Sequence, residues 1–332
     1  MFLIKTKELV KCNGTYSWII PNKFLIADYA KKTKNSLIKD AGLLYSINVS
    51  LFNVFEGINV YPIIIFGNKK YKDSFNSFLL EKYSDLSKRR FIKPKELKKH
   101  SLFKELNIRV SSGATGFQAE QLKKSVFNFY FNGCIPFIVS GNVDRYKWSN
   151  KLVRYMGDSY STAYVNNNDE SIAKSKWNFW SNPKIIIAGM TKVIEAVYVE
   201  EPLGLGVGIY GIYDFGDFDP WCLTAILNSK YLSHYFLIKF KDKHLAGGYL
   251  AINKSTIENF PITKINPLTQ SVISNISKKI HQLTALDKDT TTLEQQIDNL
   301  VYRLYNITYD EVKVIDSEFG LSREEYEGIV LE

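Results

Sequence analysis

Cysteine and histidine are scarce in this chain of 332 residues. The three cysteines, Cys12, Cys134 and Cys222, stand roughly 90 to 120 positions apart. That excludes a disulfide framework and the paired spacing of a zinc site, and it fits a reducing cytoplasm. No two of His100, His234, His244 and His281 are spaced as metal ligands on one helix face. Long apolar runs are missing as well. Ile63-Ile64-Ile65-Phe66 is typical, far short of the ~18 residues a membrane helix needs. The opening Met1-Phe2-Leu3-Ile4-Lys5-Thr6-Lys7 lacks the charged-then-apolar order of a secretion signal. There is no Gly-x-Ser-x-Gly elbow and no phosphate-binding Gly-x-x-x-x-Gly-Lys-Ser/Thr loop.

What is present is a globular composition, 45% hydrophobic and 23% charged, which excludes disorder, collagen and coiled-coil rods. The length predicts two domains with room for a small third. The net charge is +9, a weak pointer to a polyanionic partner. Most of it sits between Lys69 and His100, where eleven Lys/Arg face four Asp/Glu. This window reads as a solvated linker and helix face, or as a connector running past a phosphate backbone.

The fold class expected is α/β (mixed α+β), in four segments. Residues 1–68 hold strands at Tyr16–Pro21, Tyr45–Val54 and Val60–Phe66 and a helix at Asp28–Lys39. They are too few to bury a self-sufficient α/β core. Trp18, Ile20, Ile63 and Ile65 are therefore expected to expose apolar surface or to drive self-association. Residues 69–100 are the basic linker. Residues 101–265 mix strands (Ile135–Val139, Lys184–Ala188, with Thr191–Val199 as a hairpin partner) and helices. Asp219-Pro220 reads as a helix start, and Ser229 as the cap of a second helix. Residues 266–332 form a helix pair with a polar break at Asp287–Thr292. The final Leu331-Glu332 reads as a cloning remnant.

Polar and basic residues in glycine-marked loops are the remaining candidates for function. In Ser111–Ala119, the small Gly113, Thr115 and Gly116 let backbone amides approach a phosphate, and Gln118 can pair with adenine. An ordinary loop entering a helix is the other reading. Arg145, Tyr146, Lys147 and Trp148 put two cations and two aromatics in four positions, as a groove contact or as a partly buried aromatic cluster. Lys239–Gly248 contains Lys243 and His244. Its lysines share one face if it is extended, or cap a helix end if Lys239 closes the preceding helix. Lys192 completes the candidate DNA-contacting set. The glycines of Gly204–Gly211 are read as one face of an extended strand, there for close packing.

Taken together these segments resemble a known family. Gly14–Phe24, Tyr29–Leu37, Asn53–Phe55 and Val60–Ile65 resemble the tail of an N6-adenine DNA methyltransferase domain. Gly113–Ala119, Gly141–Tyr146, Leu227–Lys230 and Ile257–Ile262 resemble the TaqI-like specificity domain of single-chain type IIG (Eco57I-like) restriction-modification enzymes, and Ile297–Thr308 their terminal helix. The catalytic Asn-Pro-Pro-Tyr and the Phe-x-Gly-x-Gly cofactor loop are absent. Asn266-Pro267 and Asp219-Pro220 lack the second proline. The resemblance implies a chain that reads double-stranded DNA and is inactive by itself. No catalytic residue, metal or cofactor is expected in this chain. S-adenosylmethionine would serve the intact parent, whose missing methyltransferase portion, and possible nuclease, would be partners. The alternative is a protein-interaction subunit docking through its C-terminal helices.

Overall fold

The computed structural model describes residues 2–25, 28–49, 54–55, 62–71, 75–79, 100–167, 169–170, 172–240, 249–316 and 318–331. It divides into two compact units, 1–98 with 238–249, and 99–237 with 250–332. The fold class is mixed α/β, as expected. The heart of the basic linker, 80–99, lies outside the described residues, and so do Lys243 and His244.

The first unit contains α1 (Phe2–Leu9), β1 (Thr15–Pro21), α2 (Asp28–Ala41), β2 (Leu43–Asn48), β3 (Pro62–Asn68) and β4 (Asn76–Leu79). The sheet order is β1-β3-β2-β4. β3 is antiparallel to β1 and β2, and β4 runs parallel to β2. Period-2 alternation along β3 sends Ile63 and Ile65 to one face. There they pack with Leu37 and Ala41 of α2 and with Phe24. Both isoleucines are fully buried. This corrects the expectation that they expose apolar surface: α2 supplies the cover within the unit. Trp18 and Ile20 are partly buried against the same cluster, and the Trp18 indole donates to Thr6 Oγ1 of α1 at 3.1 Å.

The second unit is built on ten strands that matter here. They are β5 (Ile108–Ser112), β6 (Val126–Phe127), β7 (Cys134–Ile138), β8 (Lys151–Tyr155), β9 (Asp158–Thr162), β10 (Tyr164–Asn166), β11 (Lys184–Ala188), β12 (Ala196–Val199), β13 (Gly204–Leu205) and β14 (Ile209–Phe215). One antiparallel sheet has the order β12-β11-β14-β5. A second has the order β13-β7-β10-β6, with β13 parallel to β7. β8 and β9 form a separate hairpin. Helices α3 (Phe117–Lys123) and α4 (Lys174–Ser181) complete this part. One apolar core, including Phe137, Val165, Phe179, Trp180, Ile186 and Leu205, joins the two sheets. Burying each such side chain contributes about 1.5–3 kcal/mol.

The glycine run is not one strand. It turns at Gly208, which has φ +78°, between β13 and β14. The close-packing role holds. A Cβ on Gly206 would sit 2.7 Å from the Phe137 ring, and one on Gly211 would sit 2.7 Å from that of Phe179.

β11 begins with Lys184, whose side chain is buried and donates to the carbonyls of Trp180, Asn182 and Glu201 at 2.8, 2.9 and 3.1 Å. Desolvation pulls its ammonium down to about 8.

The rest of the unit is helical: α5 (Pro220–Asn228), α6 (Lys230–Lys239), α7 (Lys254–Glu258), α8 (Pro267–Ala285), α9 (Thr291–Leu304), α10 (Tyr309–Ile315) and α11 (Arg323–Glu327). Asp219-Pro220 and Asn266-Pro267 are both helix starts. Asp219 accepts from the amides of Trp221 and Cys222 at 2.9 and 3.1 Å, and Asn266 accepts from Thr269 at 2.8 Å. The proline follows at the first helical position, where its missing N–H costs nothing. Ser229 caps α6, accepting from Leu232 at 3.2 Å. Lys239 lies in the last turn of α6, so of the two readings for that segment the helix-ending one applies to Lys239.

Candidate nucleic-acid interface

The loop after β5 is held from several sides. The Gly113 amide donates to Ile209 O at 2.8 Å, and the Ala114 amide to Leu205 O at 2.9 Å. Lys176 of α4 donates to the carbonyls of Ser112 and Gly113. Burial, and then the charge of Lys254, pull the Lys176 ammonium below the usual lysine range. Gly113 is buried, and a Cβ there would fall 2.2 Å from Gly206 O. Close packing there leaves no room for a side chain. Gly116, at φ +53° with nothing within 4 Å of a built Cβ, turns the chain into α3. Thr115 and Gln118 are exposed, and between them Phe117 is 73% exposed. The loop therefore fixes its backbone internally and offers three side chains outward.

The side chains of the second predicted cluster find partners within the fold. Arg145 donates from Nη1 to Glu294 of α9 at 2.6 Å and from Nη2 to Asn228 O at 2.8 Å. Tyr146 is 1% exposed and sits at φ +60°. Its carbonyl meets His281 Nδ1 of α8 at 2.7 Å. Lys147 pairs at 2.5 Å with Asp287 in the α8–α9 connection. That hydrogen-bonded carboxylate holds the lysine above its ordinary range. Trp148 is half-buried against the main core. Burial thus takes Tyr146 out of the solvent-facing set, and Arg145 and Lys147 face the C-terminal helices. Lys192 is exposed, between the Met190–Thr191 strand and β12.

Beneath this cluster lies a buried polar network. Asn228 at the end of α5 accepts from the Ala196 amide and donates to the Ala196 carbonyl, both at 2.9 Å. Asp298 of α9 accepts from the Lys230 amide at 2.8 Å. Desolvation raises the Asp298 carboxyl to about 6, opposed by that hydrogen bond and by the charges of Arg145 and Lys230. Lys230 Nζ is paired with Asp316 at 2.6 Å.

The β8–β9 hairpin escaped the sequence reading. Its strands alternate with Val153, Tyr155 and Tyr160 inward, and it turns at Met156 and Gly157, both at positive φ. The signal was Tyr155-Met156-Gly157-Asp158, a glycine turn between alternating runs. Lys151 and Arg154 point outward, and Leu152 is 83% exposed with φ +53°. Asn128 Oδ1 accepts from Ser161 Oγ at 2.9 Å, placing the exposed Phe129 and Tyr130 beside this hairpin. Tyr155 donates to Ala119 O at 2.8 Å, which ties the hairpin to α3 and so to the Thr115–Gln118 loop. Cations, aromatics and polar loop residues thus share one region. Among the described residues no three potential metal ligands cluster, and no helix is long and apolar enough to cross a membrane.

Known proteins share parts of this architecture. Residues 136–262 match the family model described as the TaqI-like C-terminal specificity domain. A stretch of 90 residues is 33% identical to the type II methyltransferase M.AccI of Acinetobacter calcoaceticus; it covers 26% of this chain and 17% of that protein. The structure is similar to that of the type IIL restriction-modification enzyme MmeI in complex with DNA. The TM-score is 0.59 at 9% identity, over 96% of this chain and 50% of the MmeI chain. At that identity the likeness speaks for the fold alone, and this chain spans about half of MmeI. The part of the chain that carries the match to the TaqI-like C-terminal specificity domain is thus the β7–β14 region and the helices that follow it, residues 136–262.

Proposed function

We propose that this chain is the sequence-specific double-stranded DNA recognition portion of a restriction-modification enzyme whose parent methylates adenine N6 and, in some members, also cleaves DNA. The observation that carries it is the match of residues 136–262 to a specificity domain. The surface agrees with it. Thr115 and Gln118 offer hydrogen-bonding groups of the kind that read base edges, and Lys151, Arg154 and Lys192 offer charges for phosphates. In this reading the sheet of β1 to β4 is the margin of the parent's methyltransferase domain. S-adenosylmethionine and the catalytic Asn-Pro-Pro-Tyr belong to the remainder of that parent, because neither the cofactor loop nor the catalytic motif occurs in residues 1–332. The partners are duplex DNA and that remainder.

The test is selection of duplexes from a randomised pool on the purified chain. Recovery of one short motif is the expected result. Tight binding without a motif would make the chain a non-specific binder, and no binding at all would remove the DNA reading.

A further inference from the structure

At the start of β5, away from the loop that ends it, lies a cleft of about 280 Å³. It is lined by Lys104, Arg109, Lys254 and Tyr213 together with Asn107 and Glu258. Neither the family match nor the residues discussed above assign it a role. Its charges are incompletely balanced. Arg109 Nε stands 3.6 Å from Asp214, and Lys254 Nζ stands 3.7 Å from Glu258. Both separations exceed a good charge-assisted hydrogen bond of about 2.8 Å. Lys104 Nζ is held by a neutral group, Asn259 Oδ1, at 2.7 Å. Three cations thus line the cleft with one carboxylate, Glu258, while Asp214 stands beside Arg109, and the arginine is 68% exposed. Tyr213 is fixed by its ring contact with Phe179, with centroids 5.8 Å apart, which holds a phenol at the rim.

We propose that this cleft is a phosphate site that seats the backbone of duplex DNA, with Arg109, Lys104 and Lys254 on the phosphodiester oxygens and Tyr213 as a further donor. The inference rests on the DNA-recognition reading and deepens it. β5 runs from the cleft to the Gly113–Gln118 loop. Arg109 to Gly113 is four strand steps, about 13 Å, close to four base-pair steps of about 3.4 Å. One strand therefore joins a phosphate anchor to a loop that presents polar side chains, and the anchor would set the register in which those side chains meet the bases. A guanidinium with exposed Nη atoms matches two phosphate oxygens at once, which a lysine cannot do.

The experiment is fluorescence anisotropy of the full chain with a duplex carrying its selected motif and with an unrelated duplex, from about 50 to 200 mM salt. Arg109→Gln and the double variant Lys104→Gln/Lys254→Gln are compared with the unchanged chain, and circular dichroism confirms folding. Both variants should weaken both duplexes by the same factor. Each should shallow the salt dependence by about one unit of slope for every phosphate that is no longer neutralised. Arg109→Lys, which keeps the charge, should restore the slope and only part of the affinity. If the unchanged chain binds its motif and these variants keep its affinity and slope, the cleft proposal is overturned while the recognition reading stands. If the unchanged chain binds no duplex, both fall. A parallel titration with inorganic phosphate, read by amide chemical shifts at Arg109 and Tyr213, covers the other source of this chemistry. Shifts with phosphate and none with duplex would overturn the DNA assignment.

Discussion

The carboxamide of Asn228 closes both backbone groups of Ala196, taking its N–H and meeting its C=O, each at 2.9 Å. Ala196 begins β12, and its carbonyl also receives the Tyr146 amide at 2.9 Å. One side chain at the end of α5 therefore satisfies a strand edge that the sheet leaves open. Replacing it leaves the buried Ala196 N–H unpaired, at a cost of about 1–3 kcal/mol, while the carbonyl keeps the Tyr146 amide. Asn228→Ala should lower stability by roughly 1–3 kcal/mol. Asn228→Asp should do nearly as much, since a carboxylate accepts but cannot donate. Urea denaturation measures both, and a midpoint unchanged in Asn228→Ala would show that the pair is dispensable.

Arg145 separates a structural from a DNA-contacting role. Its two ends are already engaged by Glu294 and the Asn228 carbonyl. Arg145→Ala should cost about 1–3 kcal/mol of stability by leaving a partly buried carboxylate without its partner. The salt slope of duplex binding should stay as it is, measured at a temperature where the variant is folded. A slope that falls by one unit would return Arg145 to the DNA interface.

Two glycines of the loop after β5 should respond differently to alanine. Gly113→Ala meets the Gly206 carbonyl, 2.2 Å from the new Cβ, so strands β5 and β13 must move apart. Overpacking of this kind costs about 1–3 kcal/mol. At Gly116 there is open space, and the cost is backbone strain alone, about 1–3 kcal/mol at φ +53° and ψ −130°. Thermal melts give the stabilities. Crystallography should show a displaced Gly206 backbone in the first variant only.

The pH profile of stability should carry a signature of Asp298. Its folded-state carboxyl titrates at about 6, above its ordinary value, because burial outweighs the Lys230 amide and the Arg145 and Lys230 charges, with Asp316 adding repulsion. The unfolded chain releases the proton first. This contribution is therefore fully present below about pH 4 and is lost as pH rises to about 6, by an amount on the order of 2–3 kcal/mol. Asp298→Asn keeps an acceptor for the Lys230 amide and cannot ionise. Its stability relative to the parent should climb between pH 4 and 6 and stay level above that. A constant difference across the range would place the Asp298 titration elsewhere.

Local chemistry made much of this fold readable. Three isoleucines and an alanine shortly after Asn182-Pro183 announced β11, and Asp219-Pro220 and Ser229 announced α5 and α6, because caps and prolines act on neighbouring residues. Helices α10 and α11 were equally legible and were missed. Thr308 with Glu311 and Ser322 with Glu325 are capping boxes, and the structure forms both. Other features have no local signature. Arg145 finds Glu294 and Lys147 finds Asp287, each across well over a hundred positions of sequence, and only the fold brings them together. The same holds for the burial of Ile63 and Ile65, which depends on how α2 packs rather than on the strand itself.

The ties from Arg145, Tyr146 and Lys147 to Glu294, His281 and Asp287 also bear on how such a domain can be exchanged between enzymes. A graft cut before α8 would carry the reader without the helices that clamp its Arg145–Lys147 segment. It would leave a guanidinium and a carbonyl facing solvent where they now face α8 and α9. The transplantable piece therefore includes residues 266–304. On the function proposed above, specificity would be retuned together with that piece, at outward side chains such as Thr115 and Gln118, whose loop is already pinned by neighbours that need not change.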